Sequence, residues 1–321
     1  MTWRKLGRIY DPVRTPSLPN CTEFAQSPQA LVFDSFVRIY FCTRERDSRS
    51  GKFLSHVSFV DMSPDLRSII RTAERSVLKP GDTGCFDEHG IFPINVLRVN
   101  DRIRGYTTGW SRRVSVSVET SIGLVVSHDD GETFERIGPG PVLTRSLFEP
   151  CLVGDGFVQH WNGTFHMWYI FGLPWKQFPD SHQPERIYKI GHVTSSDGIH
   201  WSQQSGRQIV SDVLGDDECQ ALPTVIHRNG RYQMWFCYRY ASDFRTNPER
   251  GYRLGYAHSD DLITWTRDDR EAGIDVSPDA DDWDSRMMCY PHAFHCHGLT
   301  YLLYNGNEFG RYGFGAAVMD D

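Results

Sequence analysis

Four passages along the chain share one alternation, a polar turn followed by aromatic or β-branched residues at every second position. They are FDSFVRIYFCTR (33–44), WNGTFHMWYIFG (161–172), RNGRYQMWFCYR (228–239) and CHGLTYLLYNG (296–306), with a weaker fifth, VNDRIRGYTTGW (99–110). A period of two behind a turn signal predicts a hairpin and its second strand. Another element follows in GLVVSHDDGETFERI (123–137), GHVTSSDGIHWSQQ (191–204) and GYAHSDDLITWTRD (255–268), and SHVSFVDMSPDLRSI (55–69) is a degenerate copy. Here a strand runs into a Ser-x-Asp-Gly-like turn and then an aromatic residue, Phe134, Trp201 or Trp265, expected in the outer-strand core.

Ahead of each hairpin lies an apolar strand marked by Pro28, Pro93, Pro223 or Pro291, with Gly156 at the corresponding place in the third unit. Successive marks are 65, 63, 67 and 68 residues apart. No window holds an i, i+3, i+4, i+7 stripe long enough for a helical bundle. The recurrence predicts an all-β chain, a five-bladed β-propeller of four-stranded antiparallel blades around a central channel, with residues 1–321 forming one domain. A β-sandwich gives no reason for such a period.

That fold changes the meaning of acids that otherwise read as turn residues. The first strand of each blade lines the channel, and residues at its start face the axis at one end. Just ahead of the five marks stand Glu23, then Asp87 and Glu88, then Glu149 and Asp155, then Glu218 with Asp216 and Asp217, then Asp284. Carboxylates gathered at one mouth shift one another's pKa values and separate into acids and bases. Asp87, Glu149, Glu218 and Asp284 are the catalytic candidates. Glu23, Glu88, His89 and Asp155 are candidates for binding substrate. So are Gln26, Arg286, Tyr290 and His292, which flank the marks, and Arg44, Trp110, Arg239 and Asn305, which end the second strands. Forked guanidinium donors and an indole face suit a sugar or a phosphate; inter-blade ion pairing is the competing reading of the two arginines. PHAFHCHG (291–298) has a metal-like look, but it overlays PTVIHRNG (223–230), which puts His295 and His297 at an outer turn.

Composition narrows the classes. The 321 residues are 39% hydrophobic and 13% aromatic, with net charge −7. No long basic run offers a nucleic-acid backbone a partner, and no apolar run approaches the length of a membrane span. The start MTWRKLGRIYDPVRTP lacks the apolar core of a signal peptide, so the expected location is the cytoplasm. Eight cysteines without CxxC spacing then read as reduced thiols, and Asn162-Gly163-Thr164 as a hairpin turn rather than a glycosylation site. Dinucleotide, P-loop and nucleophile-elbow motifs are absent, and neither a cofactor nor a metal is expected.

With five blades, inner-strand acids, Ser-x-Asp-Gly turns and MWY/MWF strands, the chain resembles the five-bladed propeller glycosidases, which include arabinanases, β-xylosidases, invertases and mannoside phosphorylases. FAQSP, FDEHGIFP, DSRMMCYP and YNGNEFGRYGFG resemble more narrowly an intracellular, glycosidase-type subgroup. The resemblance implies a blade-two Asp at Asp87 and a blade-three acid at Glu149 or Asp155. Blade one departs from the pattern: Gln26-Ser27-Pro28 stands where those enzymes carry Asp, and Tyr10-Asp11-Pro12 lies too early. Either Glu23 fills that role or a phosphorylase-like scheme dispenses with it. The expected activity is cleavage or transfer at a glycosidic bond of a small glycoside, glycosyl phosphate or nucleotide-sugar. Glu149 or Glu218 would protonate the leaving oxygen, and Asp87 or Asp284 would activate water or steady the ring's charge. The alternatives are a carbohydrate-binding propeller without catalysis and, behind it, a protein-interaction scaffold.

Overall fold

In the computed structural model, which describes residues 1–179 and 181–320, the first strand belongs to the last blade. β1 (Thr2–Tyr10) pairs antiparallel with the final strand and closes the ring. Blade one is β2 (Gln26–Val32), β3 (Val37–Arg46), β4 (Phe53–Met62) and β5 (Ile69–Thr72). Blade two is β6 (Ile91–Val99), β7 (Arg102–Arg112), β8 (Val118–Ser127) and β9 (Glu135–Arg136). Blade three is β10 (Val153–Trp161), β11 (Thr164–Gly172) and β12 (Tyr188–Ser195). β13 (Cys219–Arg228), β14 (Arg231–Arg239), β15 (Arg253–Ser259) and β16 (Thr266–Arg267) form blade four. Blade five is β17 (Cys289–Cys296), β18 (Leu299–Asn305), β19 (Phe314–Asp320) and β1. The inner strands β2, β6, β10, β13 and β17 contact one another in that order and return to β2, so the fold is a closed five-bladed propeller.

Blade three departs from the expected four strands. Its outer place is taken by an extended stretch whose Ser202 and Ile209 amides donate to the Thr194 and Ile190 carbonyls on the edge of β12. Among the described residues no helix is long and apolar enough to cross a membrane.

The recurring marks have a shared geometry. Every inner strand slips register against its partner between Gln26 and Gln29, Ile91 and Ile94, Gly154 and Phe157, Ala221 and Thr224, or Cys289 and His292. Ser27, Asp155, Leu222 and Tyr290 take φ of 53°, 53°, 44° and 58°; in blade two the Phe92–Pro93 peptide is cis. An inserted residue at a β-bulge re-aims its side chain. The Pro and Gly marks are therefore a ring of bulges at one level of the channel.

The Ser-x-Asp-Gly turns bind neighbouring blades together. Tyr40 of blade one donates its hydroxyl to the Gly131 carbonyl of blade two at 2.8 Å, and Arg38 donates to Asp130 O. One blade on, Tyr106 donates to Gly198 O at 2.9 Å and Arg104 to Asp197 O. Of the aromatics expected after such turns, Phe134 and Trp265 are buried in the core, while Trp201 is partly buried and packs against it.

Candidate functional site

At one end of the channel the bulges open into a cavity of about 340 Å3. Phe92, Asp155, Leu222 and Tyr290 line it from the bulges, joined by Gln26 in blade one. Arg44, Trp110 and Arg239 reach it from the ends of the second strands, and Arg186 and Tyr188 from the approach to β12. Phe244, Arg245, Tyr252 and Phe309 come from loops between second and third strands.

Asp155 is the one carboxyl group among the lining residues described. Burial pushes its pKa up to about 7, while the Leu222 backbone amide and the Arg186 charge pull it back only in part. Its own amide donates to the Thr108 hydroxyl at 2.7 Å, which fixes the left-handed turn. A carboxyl that holds its proton near neutrality can donate it.

Around it stand aromatic rings and guanidinium groups. Tyr188 and Tyr252 share a hydrogen bond, hydroxyl to hydroxyl at 2.5 Å, and Tyr252 meets Tyr290 edge-on. Arg239 lies over Phe244 with 3.5 Å to the ring centroid, and Arg44 over Phe24 with 4.8 Å. Burial lowers the pKa of Arg44, as do the neighbouring charges of Arg186 and Arg245. His89 stacks on Trp110 at 5.6 Å and backs the indole from outside the cavity; burial and Arg112 lower its pKa.

The four expected catalytic carboxylates are elsewhere. Each is buried and turned into its own blade, where it ties the start of the inner strand to the outer edge. Asp87 Oδ2 accepts from Arg136 of β9. Glu218 accepts from Arg267 of β16 and from the Val213 and Leu214 amides. Asp284 accepts from Lys5 of β1 at 2.7 Å and from Tyr304 at 3.0 Å. Glu149 takes the Tyr169 hydroxyl at 2.7 Å, with Gln204 and the Gly206 amide from the stretch that replaces the fourth strand. None of the four lines the cavity. Their recurrence in four blades coincides with blade closure, because a buried carboxylate needs a partner and the outer strand, or in blade three the stretch that replaces it, supplies one.

The binding candidates divide. Gln26, Arg44, Trp110, Asp155, Arg239 and Tyr290 meet at the cavity. Glu23 pairs with Arg311, and Glu88 accepts from the Gly84 amide. Arg286 is exposed, with its backbone amide bound to Asn307. Asn305 is consumed by the backbone of Ser27, Ala25 and Gly313. His292 is buried between Phe157 and Phe294, where burial pushes its pKa down to about 3. These five lie outside the cavity lining.

Comparison with known proteins places the chain. No family model matches it. "Uncharacterized protein Rv1502" of Mycobacterium tuberculosis strain ATCC 25618 / H37Rv is 35% identical over 322 residues, covering 100% of both chains. "Uncharacterized protein MT1551" of strain CDC 1551 / Oshkosh matches over the same length with the same identity. The chain belongs to the Rv1502 family. Among solved structures, one described as a glycoside hydrolase is similar with a TM-score of 0.72 at 16% identity, over 99% of this chain and 92% of that one. The β-1,2-mannobiose phosphorylase of Listeria innocua gives 0.70 at 13% identity, over 100% and 97%. The GH43_1 enzyme of Xanthomonas citri, complexed with xylose, gives 0.63 at 16% identity, over 93% and 87%. This member of the Rv1502 family thus has the five-bladed propeller fold of those glycoside hydrolases and that phosphorylase.

Sequence reasoning missed Arg186, Tyr188, Phe244, Arg245, Tyr252 and Phe309. A signal was available in this Rv1502-family chain: loops 173–187 and 240–252 are more than twice as long as loops 47–52 and 113–117. Long loops at one end of a rigid scaffold are where binding residues concentrate.

Proposed function

We propose that this cavity cleaves or transfers a glycosidic bond of a small glycoside in the cytoplasm, with Asp155 as proton donor. The observation that carries the reading is a single buried carboxyl among the described lining residues, its pKa raised to about 7, held among aromatic walls in an otherwise cationic cavity. Asp155 would protonate the leaving glycosidic oxygen as the C–O bond breaks. Trp110 and the tyrosines would stack on sugar faces, and the tyrosine hydroxyls would exchange hydrogen bonds with the sugar hydroxyls. The shared fold of glycoside hydrolases and a phosphorylase supports the reaction class. With no second carboxylate lining the cavity among the described residues, the attacking group comes from a water, an acceptor hydroxyl or another incoming oxygen, without a paired carboxylate base.

That same lack of a second carboxylate favours a second reading, a propeller that binds a sugar without cleaving it. Incubating the protein with panels of glycosides, glycosyl phosphates and nucleotide-sugars, followed by product analysis, separates the two. Bond cleavage lost in Asp155→Asn supports the first; binding without cleavage by the wild type supports the second.

A further inference from the structure

Elsewhere in the fold this chain gives its buried arginines carboxylate partners. Arg38 binds Asp61 at 2.7 Å, and Arg267 binds both Glu218 and Asp269. The arginines facing the cavity break that habit. Arg239 is 1% exposed, yet among the described residues its guanidinium donates to the Tyr240 and Ala241 carbonyls and to tyrosine hydroxyls, and meets no carboxylate. Its Nε has no partner among the described residues. Arg44 has a buried Nε with no partner among the described residues, and its guanidinium lies over the Phe24 and Phe53 rings. Arg186 touches the Trp175 ring, and its side chain makes no hydrogen bond or ion pair among the described residues. Arg245, at the exposed rim, reaches only to 3.7 Å from Glu185.

Burying a charge without a counter-charge is unfavourable; Arg239 is buried, Arg44 and Arg186 are half-buried, and Asp155 is the one carboxyl among the described lining residues, so these like charges oppose one another in the cavity. They also oppose the positive charge that develops on a sugar ring when a glycosidic bond breaks. A bound anion removes both difficulties. The guanidiniums come from blades one, three and four, so they surround a volume instead of facing one plane. A carboxylate presents two coplanar oxygens; a tetrahedral oxyanion presents oxygens in several directions and suits forked donors arriving from different sides.

We infer that the cavity binds a phosphoryl group through Arg44, Arg186 and Arg239, an inference that rests on the glycoside reading above and narrows its substrate class. The phosphoryl group has two possible sources. It is carried on the glycoside, as in a glycosyl phosphate or nucleotide-sugar, or it is free phosphate. In the second case a phosphate oxygen forms the new bond to the anomeric carbon. The old C–O pair leaves with the alcohol, which takes the Asp155 proton.

The test is isothermal titration of the full chain with inorganic phosphate and uridine diphosphate, with uridine as the uncharged control. Sub-millimolar binding of either anion with no binding of uridine is expected. Phosphate binding as tightly as the diphosphate marks free phosphate as the source; a diphosphate at least tenfold tighter marks a group carried on the ligand. Arg44→Gln and Arg186→Gln should each weaken anion binding at least tenfold while the melting temperature of the unliganded protein holds or rises, and Arg231→Gln on the far turn should leave binding unchanged. Neither anion binding in the millimolar range, or equal binding by Arg44→Gln and Arg186→Gln, overturns the inference. Neutral glycosides turned over equally by wild type and Arg44→Gln would overturn it while leaving the glycosidase reading intact. Anion binding without any bond cleavage would do the reverse.

Discussion

Asp87 and Arg136, 49 residues apart, meet inside blade two, with Asp87 Oδ2 accepting from Arg136 Nε at 2.9 Å. The contact joins the approach to the innermost strand of the blade to its outermost strand. Glu218 with Arg267 and Asp284 with Lys5 repeat it in blades four and five. Narrow outer strands such as β9 and β16, each two residues long, have few ladder hydrogen bonds of their own. A buried ion pair across the blade holds them where backbone pairing is short.

Breaking that pair should therefore act on stability before it acts on turnover. Arg136→Gln leaves the Asp87 carboxylate buried and uncompensated, a loss of roughly 3–5 kcal/mol. Urea denaturation should show the midpoint fall, while turnover at a temperature where the variant stays folded changes by less than about threefold, under 1 kcal/mol. If Asp87→Asn instead abolished turnover with stability intact, the catalytic assignment drawn from sequence would return.

Much of the architecture was readable because each blade writes the same marks. Pro28, Pro93, Gly156, Pro223 and Pro291 sit at bulges whose local backbone demands are repeated five times, so their period reports the ring. The acids ahead of them were equally readable as a set, but spacing carries no side-chain direction in the irregular stretch before a strand. Asp155 faces the cavity because it occupies the bulge itself; Glu149, a few residues earlier, turns outward to Tyr169 and Gln204. The arginines divide the same way. Arg44 and Arg239 end regular strands and could be placed by register, whereas Arg186 and Arg245 lie in long loops whose course is set by packing alone.

The clasp between blades one and two gives a sharp structural test. Gly131 has φ of 79°, and a Cβ there would stand 2.1 Å from the Tyr40 hydroxyl. Gly131→Ala should destabilise by roughly 2–4 kcal/mol, from left-handed strain and displacement of the tyrosine together. Tyr40→Phe, which removes only the hydrogen bond to Gly131 O, should lose about 1 kcal/mol. Thermal melting of the two variants measures both, and equal losses would argue against the clasp.

Blade one offers a test of its departure from the propeller glycosidases. Gln26 is buried, and its Nε2 donates to the carbonyl of Phe309, while the Ala25 and Phe24 amides hold Gly310 and Arg311 at 2.9 Å. Glu308 and Phe309 are both left-handed, with φ of 59° and 56°. The position of the missing acid is thus an anchor for the aromatic wall at Phe309. Gln26→Asp removes the donor and sets a carboxylate against a carbonyl. Affinity for the sugar should fall roughly tenfold, about 1.4 kcal/mol, with no gain in hydrolysis. A gain in hydrolysis, read by product analysis, would mean that the position still faces the reacting centre.

Asp155 ties the chemistry to pH. Its pKa is raised to about 7 in the folded chain by burial, against a value near 3.8 when unburied. Between these two values the folded state holds a proton that the unfolded state has released. The contribution of Asp155 to stability is therefore fully present below about pH 4, falls as pH rises through about 7, and is flat beyond. At about 1.4 kcal/mol per unit, the loss amounts to roughly 4 kcal/mol. Asp155→Asn keeps the shape and tolerates φ of 53°, since Asn is among the residues that adopt that region, but it has no proton to lose. Denaturation of wild type and variant from pH 4 to pH 8 should show the variant gaining in relative stability with pH, most steeply between 5 and 7, with the contributions of all other groups cancelling in the difference. Wild-type turnover should fall about tenfold per unit above pH 7, as expected for a required acid, and the variant should be inactive throughout. A stability difference that stays flat with pH would mean that Asp155 ionises like an exposed aspartate, and a proton donor in this cavity would have to be sought elsewhere.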